Sequence, residues 1–403
     1  MDHSLGDDEL GGFTRDSLTF LTYGMIVAFG FAVAAMGPAM PLLRQDLGIS
    51  RTIGGLHFTA IASGSVLTGL TIRRVVEGWG RRRVFWSGGA GVAIGCLLLM
   101  AGWHPAITLL GCFVIGGFGS AVLIMSQAAL SDRHPSHRPV ALTEANTAMS
   151  IGTVAPALLI GAFVAVGAGW RPALIAPVCI WLALVLSRRS VAFPPASVGD
   201  RPGRSSVLPR TYWLFWAGFI PAVGAEWSIG AWGADYLVDV AETTEGSASF
   251  LMSAFFGAMV IGRLAGSRIA RSLSPFSLLF GSTAVGLCGV ILFWAADSLP
   301  LVVCGLFVSG LGISMIFPML LSLAIGIAPD QVDTAAARVS IAAGGSVIVA
   351  PLTLGALADQ VGIRGAFLIV PGLLVLVVLL AILGRRMEAK PGAGPPQASQ
   401  SPG

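Results

Sequence analysis

The stretch Gly111-Cys112-Phe113-Val114-Ile115-Gly116 returns as Gly305-Leu306-Phe307-Val308-Ser309-Gly310. Val154-Ala155-Pro156 returns as Val349-Ala350-Pro351 and Gly161-Ala162 as Gly355-Ala356, at an offset near 194, and Arg171 meets Arg364 after a short gap. Four matches in register mark an internal duplication. Each copy holds six apolar runs of spanning length: near 18–43, 52–72, 84–103, 106–130, 140–166 and 172–187, then near 211–236, 247–267, 275–295, 299–327, 334–357 and 365–384. Because six is even, the second copy enters a bilayer with the polarity of the first, giving a parallel repeat about an axis along the membrane normal. The fold this predicts is an all-α integral membrane protein, twelve transmembrane helices arranged as two pseudo-symmetric six-helix bundles. Two matched halves around a midplane crevice can rock against one another, which is a transporter architecture.

Composition agrees. Of 403 residues 55% are apolar and 11% charged, with a mean hydropathy of +0.83. A soluble domain carries about 25% charged residues, so a cytosolic enzyme, a disordered regulator and a nucleic-acid binder are all excluded. The net charge of +4 is too thin for a phosphate-binding stripe. A crossing needs about 20 apolar residues, and the chain has room for twelve with loops to spare. The five cysteines, Cys96, Cys112, Cys179, Cys288 and Cys304, sit singly in apolar runs, so neither a disulfide framework nor a zinc site is expected. The first apolar run is too long for a cleaved signal. Residues 1–17 read as an N-terminal tail, 18–187 as the first bundle and 188–210, rich in Arg, Pro and Ser, as a linker. Residues 211–386 read as the second bundle and 387–403 as a disordered tail.

Basic residues resist translocation. With both termini cytoplasmic, 20 of the 24 lysines and arginines fall inside, leaving Arg44, Arg51, Arg171 and Arg364 outside. The outside loop after span 7 carries Asp235, Asp239, Glu242 and Glu245 without a basic residue. The dominance of Arg over Lys indicates GC-rich coding, hence a bacterial inner membrane, multi-pass. A Walker loop, an HExxH and a GxSxG elbow are all missing from the sequence. The chain therefore reads as a non-enzyme without cofactor or metal, drawing energy from an ion or substrate gradient.

Glu226 stands near the middle of span 7, in Ala225-Glu226-Trp227-Ser228. A carboxylate at that depth costs roughly 2.5–3.5 kcal/mol, which calls for a partner, a proton or a wet cavity. It is the expected proton-coupling or substrate-binding group; the alternative is a structural Glu bonded to span-10 backbone or to an outer loop. Ser126 and Gln127 in span 4 and Asn146 in span 5 could bind substrate or glue helices together. His57 reads as a hydrated histidine near the outer end of span 2. Trp227 and Phe317 are candidate cavity walls, whereas Trp232 and Tyr236 read as interfacial belt aromatics.

The loop Glu77-Gly78-Trp79-Gly80-Arg81-Arg82-Arg83, with its echo Gly262-Arg263-Leu264-Ala265-Gly266-Ser267-Arg268, resembles the basic loop between spans 2 and 3 of the major facilitator superfamily. The family usually has Asp where Glu77 stands. Ile313 to Ser322 and Gly169-Trp170-Arg171 are similar to the fucose-permease-like branch, although the acids which that branch uses in spans 1 and 4 have no counterpart here. The resemblance implies that span 7 lines the cavity, and that charges at cytoplasmic helix ends (Glu77, Arg81, Arg82, Glu144, Arg263, Asp333, Arg338, around the Gly80 turn) form ion pairs that hold an outward-open state. Positive-inside anchoring and anionic-lipid contact are the other readings of the arginines. The expected function is secondary active transport of a small solute by alternating access in a monomer, coupled to protons. Uptake symport of a polar metabolite or sugar-like substrate comes first, with proton-antiport drug or metabolite efflux as the alternative. A non-transporting membrane sensor or passive facilitator is the alternative of another class.

Overall fold

A computed structural model describes residues 13–193, 208–328 and 331–388. The expected tails and most of the linker lie outside the described residues. Fourteen helical segments make the twelve expected spans. In the first half they are α1 (Ser17–Ala34) and α2 (Met36–Leu47), α3 (Arg51–Trp79), α4 (Arg81–Ala101), α5 (Pro105–Arg133), α6 (Arg138–Ala165) and α7 (Ile175–Arg188), the last entered through a 3₁₀ turn at Arg171–Leu174. The second half holds α8 (Arg210–Asp239), α9 (Glu245–Ile269), α10 (Pro275–Ala295), α11 (Leu299–Ile313) and α12 (Ile316–Ile327), α13 (Val332–Ala366) and α14 (Ile369–Glu388). Spans 1 and 10 are each two segments for one reason. Pro38 and Pro318 have no N–H to give the carbonyl four residues back, so the helical ladder is interrupted near Ala35 and near Ser314–Met315.

Local chemistry sets the ends. Ser50, Thr244 and Ser274 cap α3, α9 and α10 by accepting from the backbone N–H three residues on, as short polar side chains do at helix starts. Asp16 caps α1 in the same way. Burial works to raise its carboxyl, but bonds from Thr19 and the Arg133 guanidinium hold it below the usual range. Gly80 joins α3 to α4 with φ at +80°, a conformation that costs glycine nothing and other residues much. Eleven of the spans are long and apolar enough to cross a membrane. The remaining one, α8, gives up apolar positions to Glu226, Ser228 and Asp235.

The halves meet along two matching seams, α3 against α13 and α6 against α9. These are span 2 with span 11 and span 8 with span 5, which a twofold axis between the halves interchanges. The duplicated prolines Pro156 and Pro351 both lie inside helices, in α6 and α13. We call the end bearing Phe13, Phe193, Leu208 and the C-terminal end of α14 the linker side and the opposite end the far side. At the far side α2 and α8 press backbone to backbone, because a Cβ on Gly37 would collide with the Gly230 carbonyl oxygen. Hydroxyls stitch the same region, with Ser249 Oγ donating to the Pro38 carbonyl at 2.7 Å and Thr59 Oγ1 to the Ile348 carbonyl at 2.8 Å.

Gly37→Val should therefore wedge the two halves apart at the far side at a cost of about 1–3 kcal/mol. The expected readout is faster labelling of a cysteine at position 59 by an impermeant maleimide from the far side. Labelling as slow as in the glycine parent would show that α2 and α8 do not set the closure.

Candidate functional site

Three helices from both halves converge near the molecular centre. Side chains on a helix lean toward its N-terminus, and α9 begins at the far side, so Arg263 leans away from the linker side and into the protein. There its Nη2 lies 3.7 Å from Glu226 Oε1 on α8, while Nη1 donates to Ser150 Oγ on α6 at 3.3 Å. Ser150 Oγ in turn donates to the Asn146 carbonyl at 3.0 Å. The Glu226–Arg263 separation is that of an ion pair but too long for a hydrogen bond. Neither member is sealed off, the side chains being 24% and 44% exposed. Asn146, one turn toward the linker side on α6, is exposed. Trp227 and Phe317 pack, partly buried, on an apolar cluster of Ala62, Val223 and Val347 drawn from both halves. Phe317 also stands edge-on to Phe219 at 5.0 Å.

The structure thus links Asn146 through Ser150 and Arg263 to Glu226 and places Trp227 and Phe317 on an apolar cluster along α8, and it corrects other expectations. Arg263 belongs beside Glu226 and not to a gate at the helix ends, because it leans up its own helix. Ser126 is fully buried with no hydrogen-bond partner for its hydroxyl, so it is part of the packed interior of the first half. Gln127 is half-buried on α5, which packs chiefly against α4, α3 and α1. His57 is completely buried, not hydrated: Nδ1 donates to the Ile53 carbonyl at 3.0 Å and Nε2 sits 2.8 Å from Thr108 Oγ1, tying α3 to α5. Trp232 and Tyr236 are no interfacial belt either. Both are fully buried, donating to the Pro351 and Trp294 carbonyls at 2.8 and 3.0 Å.

On the linker side the expected gate charges are occupied within the first half. Glu77 pairs with Arg73 at 2.9 Å, Arg81 with Asp132, and Glu144 with Arg15 at 2.5 Å, while Arg82 donates to the Arg189 carbonyl. Arg338 lies over the Trp213 ring at 5.2 Å. The side chain of Asp333 lies outside the described residues. A cleft of about 420 Å³ lined by Arg82, Arg83, Trp86, Trp181, Val185 and Arg189 sits between α4 and α7 and takes no residue from the central site.

The charges that join the halves are at the far side. Arg44 pairs with Asp235 and Arg51 with Asp239, Arg51 Nε also lying 4.0 Å from Asp235. Asp359 of α13 accepts from the backbone N–H groups of Arg51 and Thr52 at 3.0 and 2.8 Å and from the Thr52 hydroxyl at 2.7 Å. A carboxylate at the first turn of α3 also meets the positive end of its dipole. Toward the linker side Val66 of α3 approaches Gly344 of α13, and Leu67, Leu70 and Ile341 are exposed. The described ion pairs that join the halves at the helix ends are those of the far side. Sequence reasoning registered Arg44, Arg51, Asp235 and Asp239 only as a charge balance. Opposite signs on two outside connections were the signal for this seal.

Comparison with known proteins agrees with the architecture. The family model of the Major Facilitator Superfamily matches residues 22–332, with a second match over 277–402. An uncharacterized MFS-type transporter of Yersinia pestis is 25% identical over 355 residues, 87% of this chain and 92% of its own length. A glucose/galactose transporter of Brucella abortus is 26% identical over 384 residues, 89% and 90% of the two chains. Among solved structures, a bacterial homolog of the human lysosomal transporter Spinster in an inward-facing, occupied conformation gives a TM-score of 0.75 at 14% identity, covering 94% of this chain and 98% of that one. The nucleoside transporter NupG gives 0.72 at 16% identity, covering 93% and 98%. Those identities show the fold alone; the family match spans most of the chain. The protein belongs to the Major Facilitator Superfamily and is a multi-pass membrane transporter of small solutes, not an enzyme.

Proposed function

We propose that this transporter is a proton-coupled secondary carrier that takes up a small polar solute across a bacterial inner membrane by alternating access, with Glu226 carrying the coupled proton. The observation that carries the reading is the partly exposed Glu226–Arg263 pair where α8 and α9 meet α6 of the other half. At about 4 Å a pair of unit charges is worth about 1 kcal/mol in water and about 4 kcal/mol at an effective dielectric of 20. That is comparable with the roughly 2.5–3.5 kcal/mol cost of a lone carboxylate at bilayer depth. Small movements of Arg263 therefore decide whether Glu226 holds a proton. Arg263 also bonds across the interface to Ser150, so rocking the halves is felt directly at the pair.

The positive-inside rule makes the linker side cytoplasmic, with both termini there, and the site as described faces inward. In this reading the far-side ion pairs close the outer gate. In the outward-open state Glu77, Arg81, Glu144 and Arg338 exchange partners, with Asp333 joining them, to close the inner one. A sugar-like substrate is supported by the glucose/galactose transporter among the relatives, and a monomer by the completeness of one chain's two halves.

In proteoliposomes with an imposed pH gradient, Glu226→Gln should lose at least tenfold in solute accumulation and in the accompanying pyranine-detected proton flux, while solute counterflow persists. Full accumulation in the Gln variant would remove the coupling role, and proton flux of opposite sign would convert uptake into antiport. At the outer gate, Asp235→Asn strands Arg44, while Arg51 keeps Asp239. Breaking a buried pair costs about 3–5 kcal/mol, so maleimide labelling of a far-side cysteine at position 59 should quicken at least tenfold. An unaltered rate would discard these pairs as the outer gate.

A further inference from the structure

We infer that the transported solute bears a carboxylate and that Arg263 is the residue that binds it. The inference rests on the proton-coupled reading of Glu226 and adds the substrate class to it. Arginine stays protonated in proteins and offers five N–H donors in a planar fork. Here one donor is engaged by Ser150 Oγ at 3.3 Å, and the nearest Glu226 oxygen, at 3.7 Å, lies outside hydrogen-bond range. Much of the fork is unspent, on a side chain 44% exposed within a helix apolar enough to cross the membrane.

Protonating Glu226 removes the counter-charge while Arg263 stays positive. Among the described residues no other free carboxylate stands beside it. The elements packed against α8 and α9 carry their other described charges toward their ends: Arg44 and Asp46 on α2, Arg138 and the Arg15-paired Glu144 on α6, Glu245 and Arg268 on α9, Arg338, Asp359 and Arg364 on α13, and Arg385 and Arg386 on α14, with none on α11 or α12. Of these, Arg44 and Asp359 are committed to the far-side seal. The vacant role fits an incoming anion. A carboxylate matches the guanidinium fork with two parallel hydrogen bonds, which a neutral hydroxyl cannot do. Asn146, exposed one turn along α6 from Ser150, is available to bond a hydroxyl, and Trp227, next to Glu226 on α8 and partly buried, offers apolar surface to a short carbon skeleton. The class is a small hydroxy-monocarboxylate or a similar organic acid.

The charge balance is explicit. One proton goes onto the Glu226 carboxylate and one substrate carboxylate onto the Arg263 guanidinium. Both leave on the other side, and Glu226 and Arg263 pair again. Each cycle moves one positive and one negative charge together and is electroneutral, whereas a neutral sugar with one proton would move net charge.

The test uses the full chain, purified and in proteoliposomes, with matched probes: gluconate against glucose, lactate against propane-1,2-diol, nicotinate against nicotinamide. At least one acid should raise the melting temperature, more at pH 6 than at pH 8, while its neutral partner does not. Arg263→Gln should abolish the shift and Arg263→Lys should weaken binding about tenfold. Uptake of that acid should follow the pH gradient and ignore a valinomycin-set potential. The Lys variant and Glu226→Gln/Arg263→Gln, which removes both charges together, keep the test decisive if Arg263→Gln alone does not fold. The inference is overturned if no acid shifts the melt, if a shift survives Arg263→Gln, or if neutral partners bind as well as acids. In that last case, loss of sugar accumulation in Glu226→Gln would leave proton coupling standing. Conversely, Arg263-dependent acid binding with full accumulation in Glu226→Gln would keep the anion site and remove the coupling role.

Discussion

A carboxylate and a guanidinium held at bilayer depth have two ways to lower their energy, each other or water, and this chain uses both. Glu226 and Arg263 sit 3.7 Å apart and both remain partly exposed, so the pair is neither a locked structural bridge nor two isolated charges. Everything around it follows from the need to keep that region wet on one side and dry elsewhere. The far-side seal excludes solvent by pressing α2 to α8 without side chains between them at Gly37. Toward the linker side Leu67 and Leu70 of α3 and Ile341 of α13 are exposed. A hydrophobic protein needs a reason to keep an acid in its middle, and a switchable neighbour is such a reason.

The two ends are sealed by different physics. At the far side Asp235 is buried between Arg44 and Arg51 with side chains 19% and 15% exposed, where Coulomb attraction is screened little. On the linker side Arg73 and Glu77 are open, at 84% and 61%, and such pairs contribute about 0–1 kcal/mol, while Arg81–Asp132 is as buried as the far-side pairs but lies within the first half. The asymmetry is one of connection: the far-side pairs join the two halves, and the linker-side pairs do not. A carrier needs its two states within a few kcal/mol of one another, so the buried far-side pairs cannot act alone. Desolvating three charges there offsets much of what their attraction gains.

The duplication, the span count and the prolines were legible because they are properties of the chain alone. An offset of two similar segments and a 20-residue apolar period survive any folding. Glu226 stood out in the sequence for a similar reason: the cost of a carboxylate is set by its depth along the span. What could not be read was rotation about the helix axes. In an all-apolar span no periodicity tells one face from another, so Ser126 looked available when it faces packed protein, and His57 looked wet when Thr108 awaited it. Trp232 and Tyr236 were assigned to the interface by their height along α8, yet their ring N–H and O–H found carbonyls in the interior. Arg263 was misplaced by one turn's worth of reach, since a long side chain on a helix running inward reports its Cα position poorly.

In the proposed cycle the same pair also explains how slippage is limited. The empty site, with Glu226 ionised against Arg263, is neutral as a unit. The site holding both a proton on Glu226 and an anion on Arg263 is neutral as well. The half-loaded forms, proton without anion or anion without proton, leave one charge uncompensated at a depth where it costs roughly 2.5–3.5 kcal/mol. Such a cost lowers their weight about 100-fold relative to the neutral forms. No steric gate has to recognise full loading, because electrostatics within an apolar slab penalises the incomplete complexes. The far-side ion pairs then need only to be strong enough to close over a neutral site, which is what their mutual desolvation leaves them able to do.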